Sequence, residues 1–197
     1  DIHRFVAAQV NGIPLEQVDK TQRSKAKAVN FGIIYGQTAY GLSRGIGISV
    51  QEAQRFIDDY FARYPRIREF MDHVIDQARR DGFVRTILGR QRLIPDLNSR
   101  NQGSRKLAER MAVNTVIQGS AADLIKVAMV NIYRRTKKEN LDLKMILQVH
   151  DELVFEVPEK QAETCSQIVR REMAEALPLE IPVVVDVSWG KNWLECK

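Results

Sequence analysis

Arg23, Lys27, Phe31 and Tyr35 recur every four residues. On a helix each step of four turns about 400°, so the four side chains line one slowly drifting face. Two cations near a helix start, then two aromatics, make a surface suited to a triphosphate below and a base ring above. Arginine forks onto phosphate oxygens, lysine supplies a mobile point charge, and an aromatic face stacks on a base. The same spacing also admits Phe31 and Tyr35 in a core with the cations solvated. A second series, Arg110, Asn114 and Gln118, is polar throughout. Asn and Gln in line with Arg suit acceptors on a groove edge. A plain solvent face is the other reading, and the apolar neighbours Met111, Ala112, Val113, Val116 and Ile117 weigh against it. A third group is Gln148-Val149-His150-Asp151-Glu152, flanked by Met145, Ile146, Leu147, Leu153, Val154 and Phe155. A carboxylate fixed at the tip of two strands is a good ligand for a hard cation. Two-metal chemistry needs more than one such carboxylate, and an isolated Asp-Glu pair is also what an ordinary charged turn contains. His3 stands alone and by itself means little.

These residues must be held by elements the sequence also outlines. Ile2 to Val10 reads as a helix ending before the turn signal Asn11-Gly12-Ile13-Pro14. Thr21 to Tyr35 is a longer helix closed by Gly36. Ser49 to Glu52 is a capping box ahead of an amphipathic run, Ala53 to Tyr64. Pro65 opens a helix that stops near Gly82. Phe83 to Leu88 is extended and turns at Gly89, and Pro95 to Gly103 reads as loop. Arg105 to Arg135 is one long helix with Gly119 as its weak point. Lys144 to His150 and Leu153 to Val157 read as a hairpin around Asp151-Glu152. A helix from Pro158 to about Leu177 and a last strand, Val183 to Trp189, complete the pattern. The fold class is α+β: a helical half, then a half with a small antiparallel sheet packed against a long helix, with the boundary near Gly89 to Pro95.

The chain has 197 residues, 44% hydrophobic and 28% charged, which excludes wholesale disorder. No window approaches 18 apolar residues, so no membrane helix is expected. Cys165 and Cys196 lack CxxC spacing and neighbouring histidines, which argues against a zinc site and a disulfide framework. The chain opens Asp1-Ile2-His3-Arg4, without an initiator Met or a basic-then-apolar leader, and reads as a piece of a longer protein. Its net charge of +5 is concentrated between Phe83 and Arg110, where seven cations oppose only Asp96 and Glu109. Such a stripe fits a polyanion partner, and equally a solvated basic surface.

Taken together, these segments resemble the polymerase domain of family A DNA polymerases, the bacterial DNA polymerase I type. Arg23 to Gly36 is similar to the family's motif B on a helix of the fingers, and Gln148 to Phe155 to its motif C. Leu88 to Asn101 and Glu109 to Asp123 are similar to connecting palm segments, and the likeness runs on to Trp189-Gly190-Lys191-Asn192-Trp193. The resemblance implies residues 1–90 as fingers and 91–197 as the C-terminal part of the palm. It implies template-directed addition of deoxynucleotides to a primer 3′ end with Mg²⁺, in the bacterial cytoplasm at the nucleoid. His3, Arg23 and Lys27 would bind the phosphates of a deoxynucleoside triphosphate, with Lys27 also a general acid for pyrophosphate. Phe31 would pack on sugar and base, where Phe is associated with rejecting sugars lacking the 3′-hydroxyl. Tyr35 would sit at the templating base. Arg100, Arg110, Asn114, Gln118 and His150 would touch primer–template DNA, and Asp151, assisted by Glu152, would bind metal. The family's motif A, source of the other metal carboxylate, has no match here and is expected upstream of Asp1. Asp123 and Asp186 do not match it. By itself, then, the chain is expected to be catalytically silent, and a non-catalytic nucleotide- or primer–template-binding fragment is the alternative.

Overall fold

The computed structural model describes residues 1–196. It is α+β, mostly helical, with two separate two-stranded sheets. The chain forms two compact units, Asp1–Val84 with Gln91–Asn114, and Arg85–Arg90 with Thr115 onward.

In the first unit, α1 (Ile2–Asn11) starts where the Asp1 carboxylate accepts from the backbone N–H groups of His3 and Arg4, both at 3.1 Å. α2 (Lys20–Ile34) begins with a reciprocal capping box between Asp19 and Gln22. The expected box of Ser49 and Glu52 opens α4 (Val50–Arg63), and Pro65 opens α5 (Pro65–Asp81). α3 (Ala39–Ile46) is an addition to the sequence reading. Gly41 and Gly45 dilute its apolar pattern, but the Gln37 side chain fills the space beside Gly41, at 3.0 Å from where a Cβ would stand. Val6, Ala7, Ala8, Val18 and Ala26 form one buried cluster, and Val29, Ile33, Leu42, Ala53 and Tyr60 another. Phe56 packs against both.

The expected extended run Phe83 to Leu88 is shorter. β1 (Phe83–Arg85) pairs with β2 (Gln91–Leu93), and Thr86 to Arg90 makes the turn between them, closed by the Thr86 N–H on the Arg90 carbonyl at 2.9 Å. Pro95–Asn98, expected as loop, is a 3-10 turn. α6 (Gln102–Glu139) runs 38 residues, longer than expected, and Gly119 does not interrupt it.

In the second unit, β3 (Lys144–Val149) and β4 (Glu152–Glu156) pair antiparallel. α7 (Ala162–Ala174) follows a 3-10 turn at Glu159–Gln161, so the helix expected from Pro158 to Leu177 is shorter at both ends. Ile132 of α6, Leu143, and Cys165 and Val169 of α7 form the core, with Met145, Leu153 and Phe155 packed on it. The hairpin therefore packs against the long helix. Two sequence expectations need correcting. The turn is His150-Asp151, and Glu152 is the first residue of β4, because Val149 pairs with Glu152 and His150 takes the positive φ of 54° that a tight turn requires. Val183 to Trp189 is not a strand. Its burial alternates along the segment, but no hydrogen-bonded ladder joins it to β3 or β4, and a strand is defined by such pairing.

Candidate functional site

The first unit carries the cationic and aromatic face. Ala26, Val29, Asn30 and Ile33 turn α2 inward, and Arg23, Lys27 and Phe31 are exposed on the other side. The core placement of Phe31 is thereby excluded: its ring is 39% exposed. Phe31 and Tyr35 stack with centroids 5.8 Å apart and ring planes 23° apart. Lys27 Nζ lies 5.9 Å from the Phe31 centroid. His3 comes from α1 to join them, its ring 5.7 Å from that of Phe31 and tilted by 46°. The four-residue spacing on α2 and the isolated His3 thus meet on one surface. Burial and the charges of Arg23 and Lys27 hold the His3 imidazole below its ordinary pKa. Arg23 Nε stands 2.6 Å from the Asp1 carboxylate, which also caps α1, so one carboxylate ties the starts of the two helices together.

Gly36 follows with φ 74°, and a Cβ there would lie 2.7 Å from Arg110 Cγ. The absent side chain lets the Arg110 stem lie against the end of α2. Along α6, Arg110 and Gln118 are exposed and Asn114 half-buried, with Asn114 Oδ1 buried and unpaired. Arg100 is exposed on the segment before α6.

In the second unit, His150, Asp151 and Glu152 are all exposed at the hairpin end. Gln148 Nε2 donates to the His150 carbonyl at 2.7 Å and braces the turn. Asp151 offers the hard oxygen donor that Mg²⁺ prefers. Among the described residues no group of three or more His, Cys, Asp or Glu side chains could hold a metal ion. The hairpin therefore fits Mg²⁺ as part of a ligand set and not as a whole one.

Sequence reasoning left one cluster of this unit without a role. Asp123 on α6 is 1% exposed. It accepts from the Thr86 hydroxyl and from Arg90, whose Nε and Nη2 lie 2.9 and 2.8 Å from Asp123 Oδ1. The Arg90 N–H in turn donates to Thr86 Oγ1 at 3.1 Å, and the Ile87 N–H to Ser120 Oγ at 2.9 Å. The hydrogen bond from Thr86, then that from Arg90 and its charge, hold the Asp123 carboxyl below the usual carboxylate range against the opposing effect of burial. The only signal in the sequence was an acid on an apolar helix next to small residues, and its partner lies 33 residues upstream.

The family model described as DNA polymerase family A matches residues 1–195. DNA polymerase I of Caldicellulosiruptor bescii is 49% identical over 197 residues, all of this chain and 23% of that protein. DNA polymerase I of Pseudomonas aeruginosa is 47% identical over 195 residues, 99% of this chain and 21% of that protein. The chain thus spans between a fifth and a quarter of the length of these curated relatives. A solved structure of the POL domain of Pol1 from M. smegmatis, in complex with DNA primer-template and dNTP, matches with a TM-score of 0.87 at 44% identity. That match covers 92% of this chain and 32% of the other. With a family match over nearly its whole length and a relative 49% identical across all of it, the chain belongs to DNA polymerase family A.

Proposed function

We propose that this chain is the nucleotide-selecting and part of the metal-binding machinery of a template-directed DNA polymerase, adding deoxynucleotides to a primer 3′ end. The observation that carries this reading is the α2 face, where His3 and Lys27 lie 5.7 and 5.9 Å from the ring of an exposed Phe31 stacked on half-buried Tyr35, with Arg23 exposed on the same helix. The M. smegmatis relative was solved with the two substrates such a face would handle. Residues 1–90 act as fingers and 91–197 as the C-terminal part of the palm. Arg23 forks onto the triphosphate, His3 donates to it, and Lys27 neutralises it and gives a proton to the leaving pyrophosphate. Phe31 packs on the sugar and base, and Tyr35 stands at the templating base. Arg100, Arg110, Asn114, Gln118 and His150 hold the primer–template near its end. Minor-groove acceptors common to all base pairs suit an enzyme that accepts any correct pair.

Asp151, assisted by Glu152, would hold Mg²⁺ together with a carboxylate from outside these 197 residues. A cation held there would supply activation of the primer hydroxyl and charge neutralisation of the leaving group. Chromosomal DNA as substrate places the protein in the bacterial cytoplasm, at the nucleoid. Among the described residues no helix is long and apolar enough to cross a membrane. The incomplete ligand set favours a second reading for the chain in isolation, a fragment that binds nucleotide or DNA without turnover.

The test is primer extension by the complete polymerase that contains this chain. Asp151→Asn is expected to abolish extension while leaving primer–template affinity within a few-fold. Full extension by that variant would refute the metal role.

A further inference from the structure

We propose that Asn30 is a positioning residue: it fixes His3 as the tautomer protonated at Nε2, so that this ring N–H faces the nucleotide phosphates. The inference rests on the nucleotide-binding reading of the α2 face. Asn30 lies on the inner side of α2, directly before Phe31, and is 2% exposed. Its Nδ2 stands 2.9 Å from His3 Nδ1. An amide N–H can only donate, so the His3 nitrogen it meets must present a lone pair. In a neutral imidazole the proton then sits on Nε2.

The surroundings keep the ring neutral. Burial, and then the cationic Arg23 and Lys27 on α2, lower the His3 pKa. The Asp1 carboxylate is engaged by Arg23. Asparagine suits this place where aspartate would not. A carboxylate would accept from Nδ1–H, strip Nε2 of its proton in the neutral ring, and bring negative charge beside the bound phosphates. Among the described residues the amide has no second partner beside His3. As placed, one acceptor, Asn30 Oδ1, is buried without a partner.

The experiment is a long-range ¹H–¹⁵N spectrum of the histidine-labelled 197-residue chain at about pH 8, where an unperturbed imidazole is neutral. The His3 signal is identified by its loss in His3→Gln. Wild type is expected to show the Nε2–H tautomer. Asn30→Asp is expected to show Nδ1–H or the doubly protonated ring, with the His73 signals unchanged as a check on folding. Affinity for dATP should fall on the order of 10-fold in Asn30→Asp, as for the loss of other orienting partners. A wild-type His3 protonated at Nδ1 would overturn the inference whether or not the variant folds. So would an Asn30→Asp spectrum that keeps the wild-type tautomer. The nucleotide reading fails separately, if dATP affinity ignores Lys27→Ala and Arg23→Ala.

Discussion

An exposed ammonium beside an aromatic ring contributes little to folding, so removing it reads function and not stability. Lys27 is such a group, exposed and 5.9 Å from the Phe31 ring. Lys27→Ala should leave thermal unfolding of the chain nearly unchanged. Single-turnover incorporation by the complete polymerase should fall by ~100-fold or more, as loss of a transition-state charge contact does. Unchanged incorporation would remove Lys27 from the chemistry. Asp123 is the opposite case, a fully buried acid whose loss reads stability. Asp123→Asn keeps the shape and weakens the charge-assisted bonds to Thr86 and Arg90, at a cost of about 1–3 kcal/mol. The folded-state pKa of Asp123 is lowered, so its contribution is complete above the ordinary carboxylate range and disappears as the pH falls through the folded value. Acid unfolding followed by circular dichroism should therefore show the gap between wild type and Asp123→Asn closing below about pH 4. A gap that persists or widens in acid would mean that the charge of Asp123 is not what holds the cluster.

At the scale of elements, α6 and the turn Thr86 to Arg90 form one clasp. A Cβ on Gly119 would stand 2.7 Å from Thr86 Cγ2, and Thr86 is held in place by Asp123 and Arg90. Alanine is the better helix former by about 1 kcal/mol, so propensity alone predicts that Gly119→Ala stabilises. The clasp predicts the reverse, a loss of about 1–3 kcal/mol from overpacking. Thr86→Ser removes the methyl group and keeps the hydroxyl. In that background Gly119→Ala should become neutral or stabilising, a coupling that a double-mutant cycle in chemical denaturation would measure. Additive effects would show that Thr86 is free to shift and that Gly119 is placed for another reason. The β3–β4 hairpin is fixed by different means: a two-residue turn with His150 at φ 54° and a brace from Gln148. Its register decides that Asp151, and not Glu152, stands in the turn.

At the scale of the molecule, the proposed metal role of Asp151 predicts what the chain can do alone. The described residues hold no complete metal centre, and the chain spans 21–23% of the length of the curated relatives cited above. The 197-residue chain with primer–template and Mg²⁺ should not extend the primer. It should bind DNA weakly through the cations between Phe83 and Arg110, with affinity falling steeply as salt rises from about 50 to 200 mM. Mixing with the upstream polypeptide of a relative should restore extension. Template-dependent extension by the chain alone, lost in Asp151→Asn, would show that a complete metal centre exists within it.

The sequence by itself determined the helices with strong local signals. The capping boxes at Asp19 and Ser49, Pro65 at a first helical position and the four-residue spacing on α2 act within a few residues of chain, so they can be read there. The spacing put Arg23, Lys27, Phe31 and Tyr35 on one face but left open whether the two rings are buried, which the structure decides with Phe31 exposed and Tyr35 half-buried. Only the tertiary structure decided features that depend on distant neighbours. α3 forms around two glycines because Gln37 occupies the space beside them. His3 joins Phe31 because α1 packs on α2, and Asn30 meets His3 across 27 residues of chain. Val183 to Trp189 has the alternation of a strand and no ladder, because pairing belongs to two strands and a pattern belongs to one. Asp123 had no role in the sequence reading, and its burial against Thr86 and Arg90 follows from a turn more than 30 residues away. Local preferences act along the chain and are written in it, whereas burial and pairing arise between segments and exist only once the chain has folded.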